Sequence, residues 1–200
     1  MVTAGFIVEG DCEAILLKDA SFINFLALIN INYSKELVIN AEGKNRLYNS
    51  KADFSKIEQK ISDWILGLQT KGAEIIFFLL DFDNSDPCFT QFKQKVFHKA
   101  GNHIIIAKQA LEAWFLADTE ALSLYFQKRI AGIDFPESFS VPFDEIKALR
   151  LSHSGKSVSD KKMLTRHILS SGFSLTRAAA HPNCPSAAYF LKKLLSLNTP

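Results

Sequence analysis

The sequence has few cysteines: Cys12, Cys88 and Cys184 are odd in number and far apart. No C-x-x-C pair occurs, so the pattern supports neither a disulfide framework nor a zinc ribbon. His181 and Cys184 form one H-x-x-C, but two ligands without a second pair do not make a zinc site. We therefore expect all three cysteines to have a structural role.

The sequence also lacks a long apolar run. No stretch approaches the roughly 18 to 20 apolar residues that a helix needs to cross a bilayer. The initial segment MVTAGFIVEG has no basic leader, and Glu9 comes too early for the core of a signal peptide. These absences predict a cytoplasmic protein that does not associate with a membrane.

The chain is rich in apolar residues, and its charged residues are unevenly distributed along the sequence. Hydrophobic residues make up 48% of its 200 residues, which is typical of a globular protein with a substantial core. Residues 151–200 contain seven of the 23 Lys and Arg but one of the 21 Asp and Glu, so this segment is basic and the remainder is acidic. That distribution suits metal-assisted chemistry on phosphates, although charge clusters more often form a solvated helical face.

Strand-like and helix-like patterns alternate over the first 110 residues. Buried strands are predicted at Phe6–Val8, Ile75–Leu80 and Ile104–Ala107, with a further strand at Glu36–Asn40. The alternation indicates an α/β fold, with a mostly parallel sheet flanked by helices in right-handed connections. After the last strand only helical patterns remain. We predict an α/β core over residues 1–125 and a helical, basic C-terminal extension over residues 126–200, packed on the core.

Local signals give the element boundaries. Asp11 and Ser186 are suited to helix N-caps. A polar loop is predicted at 41–53 and a stop at Asn84–Pro87. The predicted helical segments are 14–29, 54–71, 89–99, 159–171 and 186–197.

Acidic residues follow three of the predicted strands. Glu9 follows the first strand, with Glu13 in the first turn of the next helix; Asp81 and Asp83 follow the central strand. Glu112 comes after the fourth strand. Because ligands gather at the carboxyl ends of strands in open α/β sheets, we expect these side chains to converge at one edge.

Crowded carboxylates repel one another and lose hydration at the end of a buried strand. Mg²⁺ or Mn²⁺ removes this conflict, because such ions bind carboxylate oxygens and keep waters for a substrate phosphate. If the central strand continues through Phe82, Asp81 and Asp83 point to the same side. The acids therefore predict a metal site, although a single acid after a strand is equally well explained as a helix cap or turn former.

Four motifs carry a resemblance. V-E-G-x-x-E after the first strand, and L-L-D-F-D after a later one, resemble the TOPRIM domain of topoisomerases, primases and OLD-type nucleases. K-Q-A-L-E-A-W-F-L-A-D and A-A-x-H-P-N-C-P-S resemble a bacterial group of small stand-alone TOPRIM-like proteins. The resemblance spans most of the chain and implies a TOPRIM-like, Rossmann-like core.

The resemblance also implies roles for the acids. Glu9 matches the motif glutamate, which serves as an acid/base catalyst or as a metal ligand. Asp81 and Asp83 match the metal-binding D-x-D pair. Glu13 and Glu112 match the further acids that help to hold metal, so that the five together would bind two Mg²⁺ or Mn²⁺ ions.

The basic end supplies candidate phosphate contacts. Lys161 and Lys162 begin a predicted helix, and Lys162 shares a helix face with Arg166. Folded back over the acidic edge, this helix would grip a phosphate backbone, with Lys161 or Lys162 assisting catalysis electrostatically. We expect Lys156, Lys161, Lys162 and Arg166 to bind nucleic acid; a solvated face is the alternative.

The sequence Gly155-Lys156-Ser157 contains the G-K-S of a P-loop, but it does not predict an ATP site. Arg150 stands where a P-loop requires its first glycine, and no buried strand precedes the motif.

The sequence therefore predicts a Mg²⁺- or Mn²⁺-dependent nuclease that acts on phosphodiester bonds, with DNA favoured over RNA. From the resemblance we also expect a separately encoded ATPase partner and a role in defence against phage or other foreign DNA. One alternative is a non-catalytic module that binds nucleic acid or an ATPase and holds a structural divalent ion. Phosphatase or phosphotransfer chemistry on small nucleotides is a third reading.

Overall fold

A computed structural model of the chain describes residues 1–47, 54–83, 88–96 and 101–198. The chain divides into two compact units. The first comprises Met1–Leu80, Ser85–Ile106 and Leu195–Pro200, and the second comprises Asp81–Asn84 and Ala107–Leu194. The sequence-based boundary between residues 125 and 126 stays a prediction.

The first unit is built on an all-parallel sheet of five strands, flanked by helices. The strands are β1 Val2–Val8, β2 Ile31–Asn32, β3 Val38–Asn40, β4 Ile75–Phe82 and β5 His103–Lys108. They lie in the order β2-β1-β4-β5, and β3 also pairs with β1. β2 pairs with the start of β1, whereas β3 pairs with its end. The predicted α/β class and parallel sheet are confirmed.

Continuous apolar runs account for the central strands. Ile76 to Leu80 of β4 are fully buried, as a strand covered on both faces requires. In β1, Phe6 stacks on Phe77 of β4 with ring centroids 5.3 Å apart. The predicted strands at Phe6–Val8, Ile75–Leu80 and Ile104–Ala107 are confirmed as parts of β1, β4 and β5.

The second predicted strand was too long. Lys35–Leu37 forms a 3₁₀ turn, so only Val38–Asn40 of the predicted Glu36–Asn40 is strand. The two-residue strand β2 was not predicted, because two residues are too few to show a periodicity.

The helices of the first unit correct two further predictions. Segment 14–29 is two helices, because the Oδ1 of Asp19 accepts a hydrogen bond from the Ser21 N–H at 2.9 Å and caps the second helix. Asp11 is not an N-cap: Gly10 takes that position, and Asp11 is the first helical residue. The predicted helix 54–71 is confirmed. The helices are α1 Asp11–Lys18, α2 Ala20–Leu28, α3 Phe54–Thr70 and α4 Phe89–Lys95.

Three predictions fall wholly or partly outside the described residues. They are the stop at Asn84–Pro87, residues 48–53 of the polar loop, and residues 97–99 of the predicted helical segment 89–99.

Apart from the ends of β4 and β5, the regular structure of the second unit is helical in its described residues. Its α-helices are α5 Glu112–Ala117, α6 Thr119–Phe126, α7 Pro142–Ser154, α8 Lys161–Ser170, α9 Leu175–Ala180 and α10 Pro185–Leu195. Predicted segments 159–171 and 186–197 are confirmed as α8 and α10, whereas α9 was not predicted. Ser186 is not a cap, because α10 begins at Pro185. Across the described parts of the chain, none of the helices combines the length and apolarity that a membrane span requires.

Two glycines of the first unit provide a matched stability test. A Cβ at Gly5 of β1 would lie 3.0 Å from the Ala73 Cβ, whereas a Cβ at Gly67 of α3 would meet no atom within 4 Å. We expect Gly5→Ala to lower the free energy of unfolding by about 1 to 3 kcal/mol through overpacking. Gly67→Ala should raise it by up to about 1 kcal/mol, because alanine is the better helix former. Urea denaturation of the two variants measures both changes, and equal effects would contradict the packing described for β1.

Candidate active site

Glu9 and Glu13 lie at the carboxyl end of β1 in the first unit. The Glu9 N–H donates to the Leu79 carbonyl of β4 at 3.0 Å, so the chain leaves the sheet beside β4. Glu13 is buried, and its Oε2 accepts a hydrogen bond from the Gly10 N–H at 3.1 Å. This carboxylate therefore caps the start of α1, in addition to its predicted place in the first turn of the helix.

The D-x-D pair lies at the end of β4. The strand continues through Phe82, which is the condition under which the sequence analysis expected Asp81 and Asp83 to share a side. Asp81 is half-buried and Asp83 is exposed. The Oδ1 of Asp81 accepts a hydrogen bond at 3.0 Å from the N–H of Leu111, the residue immediately before α5. Asp81 thus holds the start of α5.

Glu112, the first residue of α5, is buried, with 1% of its surface exposed. The Nζ of Lys161, the first residue of α8, lies 3.4 Å from its Oε1. This distance defines an ion pair, but Oε1 is buried and accepts no hydrogen bond of acceptable geometry from the described residues. Burying a carboxylate oxygen without a hydrogen bond is costly, so Oε1 of Glu112 has unused capacity to bind a cation or a donor.

The second unit therefore brings three predicted site residues together. Asp81 is linked to Glu112 through the Leu111 N–H, and Glu112 is paired with Lys161. The other predicted basic residues, Lys156, Lys162 and Arg166, are exposed. Their binding of nucleic acid stays a prediction.

The cluster of five acids also stays a prediction. Glu9 and Glu13 belong to the first unit, and Asp81, Asp83 and Glu112 belong to the second. Within residues 1–47, 54–83, 88–96 and 101–198, no three His, Cys, Asp or Glu side chains form a group arranged to hold a metal ion.

Two of the resemblance motifs meet inside the second unit. The Trp114 Nε1–H donates to the Ser186 Oγ at 2.7 Å, and the Ser186 N–H donates to the Glu137 Oε1 at 2.9 Å. Trp114 also stacks on Phe190 of α10. L-E-A-W and N-C-P-S therefore join α5 to α10. Sequence reasoning missed Glu137, because no motif marks the 3₁₀ turn Pro136–Ser138 in which it lies.

The last acid of the K-Q-A-L-E-A-W-F-L-A-D segment is also structural. Asp118 is buried and accepts hydrogen bonds from the Nε and Nη2 of Arg177 at 2.8 and 2.9 Å, and from the Ser174 N–H at 2.8 Å. Hydrogen bonding to Asp118 raises the pKa of Arg177. This two-pronged ion pair holds the end of α5 to the start of α9.

Cys184 is buried in the second unit, which fits the structural role that the sequence predicted for it. Burial raises the pKa of the Cys184 thiol, and the nearby Glu137 carboxylate raises it further. Cys184 is therefore a neutral thiol packed inside the second unit, whereas Cys12 and Cys88 are partly exposed.

No family model matches the chain, and neither a curated protein nor a solved structure shows significant similarity to it. The TOPRIM resemblance therefore rests on the motifs themselves.

Removal of Arg177 should destabilise the protein. In Arg177→Ala the buried Asp118 carboxylate loses its counterion, so we expect the free energy of unfolding to fall by about 2 to 3 kcal/mol. The loss is smaller than for a fully buried ion pair, because the arginine side chain is partly exposed. Arg166→Ala on the exposed face of α8 is the control and should change the free energy of unfolding by less than about 0.5 kcal/mol. Equal losses in the two variants would contradict a structural role for the Asp118–Arg177 pair.

Thiol reactivity should separate the cysteines. A disulfide reagent should modify Cys12 and Cys88 in the native protein but Cys184 only after unfolding, because burial excludes the reagent and the raised pKa keeps the thiol protonated. Cys184 should stay unreactive when the pH is raised from about 7 to about 9, because its raised pKa keeps the thiol protonated. Mass spectrometry of the modified sites makes the measurement, and rapid native modification of Cys184 would contradict its burial.

Proposed function

We propose that this protein is a Mg²⁺- or Mn²⁺-dependent nuclease with a TOPRIM-like core that cleaves phosphodiester bonds in nucleic acid. The proposal is supported by a parallel sheet with acidic residues after the carboxyl ends of its strands. The motifs of the sequence support it further. The observation that carries it is Glu112, a buried carboxylate that has one ammonium nearby and accepts no hydrogen bond from the described residues at Oε1.

The donor set fits the proposed ions. Hard divalent cations prefer carboxylate oxygens, and a buried oxygen without a hydrogen bond is suited to binding one. In the proposal, the ligands are Glu9, Glu13, Asp81, Asp83 and Glu112. The bound ions would supply an activated water and stabilisation of the leaving oxygen.

The side chains themselves have distinct roles in this proposal. Glu9 would also move a proton to or from the reacting groups as acid/base catalyst. Lys161 and Lys162 would neutralise charge that develops on the phosphate. Lys156 and Arg166, with both lysines, would hold the phosphate backbone, and this contact would weaken as the salt concentration rises.

The proposed setting follows from the resemblance. We propose a cytoplasmic protein that acts on DNA in preference to RNA, beside a separately encoded ATPase, in defence against phage or other foreign DNA.

One observation favours a second candidate function. The Lys161 ammonium already provides Glu112 with a positive charge 3.4 Å away, without any metal. A carboxylate neutralised in this way suits a non-catalytic module that binds nucleic acid or an ATPase. The two candidates differ in a single property, cleavage.

The test is a cleavage assay with single- and double-stranded DNA and RNA in Mg²⁺ or Mn²⁺. Asp81→Asn and Glu112→Gln remove the charge of each acid but keep its size, and Asn retains an oxygen for the Leu111 N–H. We expect each variant to lose at least about 100-fold in rate, because each would remove a metal ligand. Chelation of the metal should abolish cleavage.

The control is Glu58→Gln on the exposed face of α3, which should leave the rate unchanged. Thermal unfolding of all variants checks that the fold is intact. Binding of nucleic acid without cleavage by the wild-type protein would support the non-catalytic module, and cleavage that survives both substitutions would contradict the proposed site.

A further inference from the structure

An aromatic ring lies beside the lysine that pairs with Glu112. Phe143, in the first turn of α7, is half-buried, and the Lys161 Nζ lies 5.7 Å from the centroid of its ring. The same ammonium lies 3.4 Å from the Glu112 Oε1. The Nζ of Lys147, one turn further along α7, lies 5.3 Å from the same ring centroid. Within the second unit, one ring thus has two ammonium groups nearby, one of which is shared with a buried acid.

We propose that Phe143, Lys147 and Lys161 form a binding site for an unpaired nucleotide of single-stranded nucleic acid, next to Glu112. The base would stack on the Phe143 ring, and the two ammonium groups would bind the adjoining phosphates. The inference rests on the proposed function, because it specifies the strand that the proposed nuclease would bind.

The chemistry of the three side chains supports this ligand. Every base has a π-face, so an aromatic ring can stack on a base of any sequence. Lysines beside the ring can bind the phosphates of the backbone. The bases of a duplex are already stacked on one another, so a ring held at a helix start offers them less than it offers an unpaired base. The site therefore favours single strands.

The local charges permit the exchange that binding requires. Lys147 forms an ion pair with Asp144 at 3.1 Å, but the Asp144 side chain is 62% exposed. Exposed pairs of this kind contribute little stability, so a phosphate can replace the carboxylate as the partner of Lys147. Lys161 has a long, half-exposed side chain that can turn from the ring to a phosphate.

A purely structural role for Phe143 makes a different prediction. If the ring served only to pack α7, leucine would replace it with little effect on nucleic-acid binding. If the ring is a stacking surface, leucine removes the π-face and tryptophan restores it.

The test measures binding of fluorescently labelled single-stranded DNA, single-stranded RNA and duplex DNA by anisotropy. EDTA is present, so that neither metal nor cleavage contributes. We expect Phe143→Leu to weaken single-strand binding about tenfold and Phe143→Trp to keep it within about twofold. Tyr189→Leu is the matched control, because Tyr189 of α10 is also partly exposed, with the Lys193 Nζ 5.5 Å from its ring centroid, and should leave binding unchanged.

Stronger binding of either single strand than of the duplex supports the inference, whichever of DNA or RNA binds better. The inference would be overturned if Phe143→Leu bound single strands with wild-type affinity at an unchanged melting temperature. It would also be overturned if Tyr189→Leu lost as much affinity as Phe143→Leu, or if the wild-type protein bound duplex as strongly as single strands. Absence of single-strand binding by the wild-type protein would overturn it as well.

The outcome is separable from the cleavage assay. Phe143-dependent binding by a protein that never cuts supports this inference while the nuclease proposal fails. Cleavage that requires Asp81 and Glu112, together with wild-type binding by Phe143→Leu, overturns this inference alone.

Discussion

The burial of the Glu112 carboxylate is the constraint on which the account of this protein depends. A carboxylate with 1% of its residue surface exposed must be neutralised or hydrogen-bonded, and among the described residues Oε1 has the Lys161 ammonium at 3.4 Å but accepts no hydrogen bond. The second unit holds this arrangement in place along α5. Asp81 fixes the residue before the helix, Trp114 joins its middle to α10, and Asp118 binds Arg177 at its end.

This anchoring explains why the L-E-A-W-F-L-A-D segment combines apolar and polar residues within one short helix. Its apolar side chains are fully buried, whereas Trp114 and Asp118 use their polar atoms to bind other helices. Among these polar groups Glu112 differs, because its Oε1 has a cation nearby but no hydrogen bond from the described residues. A helix that presents an incompletely satisfied acid is suited to binding a ligand or ion. Phe143, with Lys147 beside its ring, lies near the lysine that pairs with this acid.

The sequence predicted the elements whose signal is local. Six consecutive apolar residues identified β4, and the period of Ile57, Ile61, Ile65 and Leu68 identified α3. It failed where the pairing partner decides, because the two-residue strand β2 is too short to show a periodicity. For the site, the sequence selected Asp81, Glu112 and Lys161, which lie together in the second unit. It did not identify the Leu111 N–H that links Asp81 to the start of α5, or Glu137, which binds Ser186. Both contacts depend on tertiary structure and have no signal in the sequence.

The most direct test of the central claim is anomalous diffraction from crystals grown with manganese. The account predicts a manganese ion bound to the Glu112 carboxylate, with the Lys161 ammonium displaced from it. Crystals in which Glu112 remains paired with Lys161 at saturating manganese, with no anomalous peak beside either residue, would contradict the account and leave the ion pair as a structural element of the helical unit.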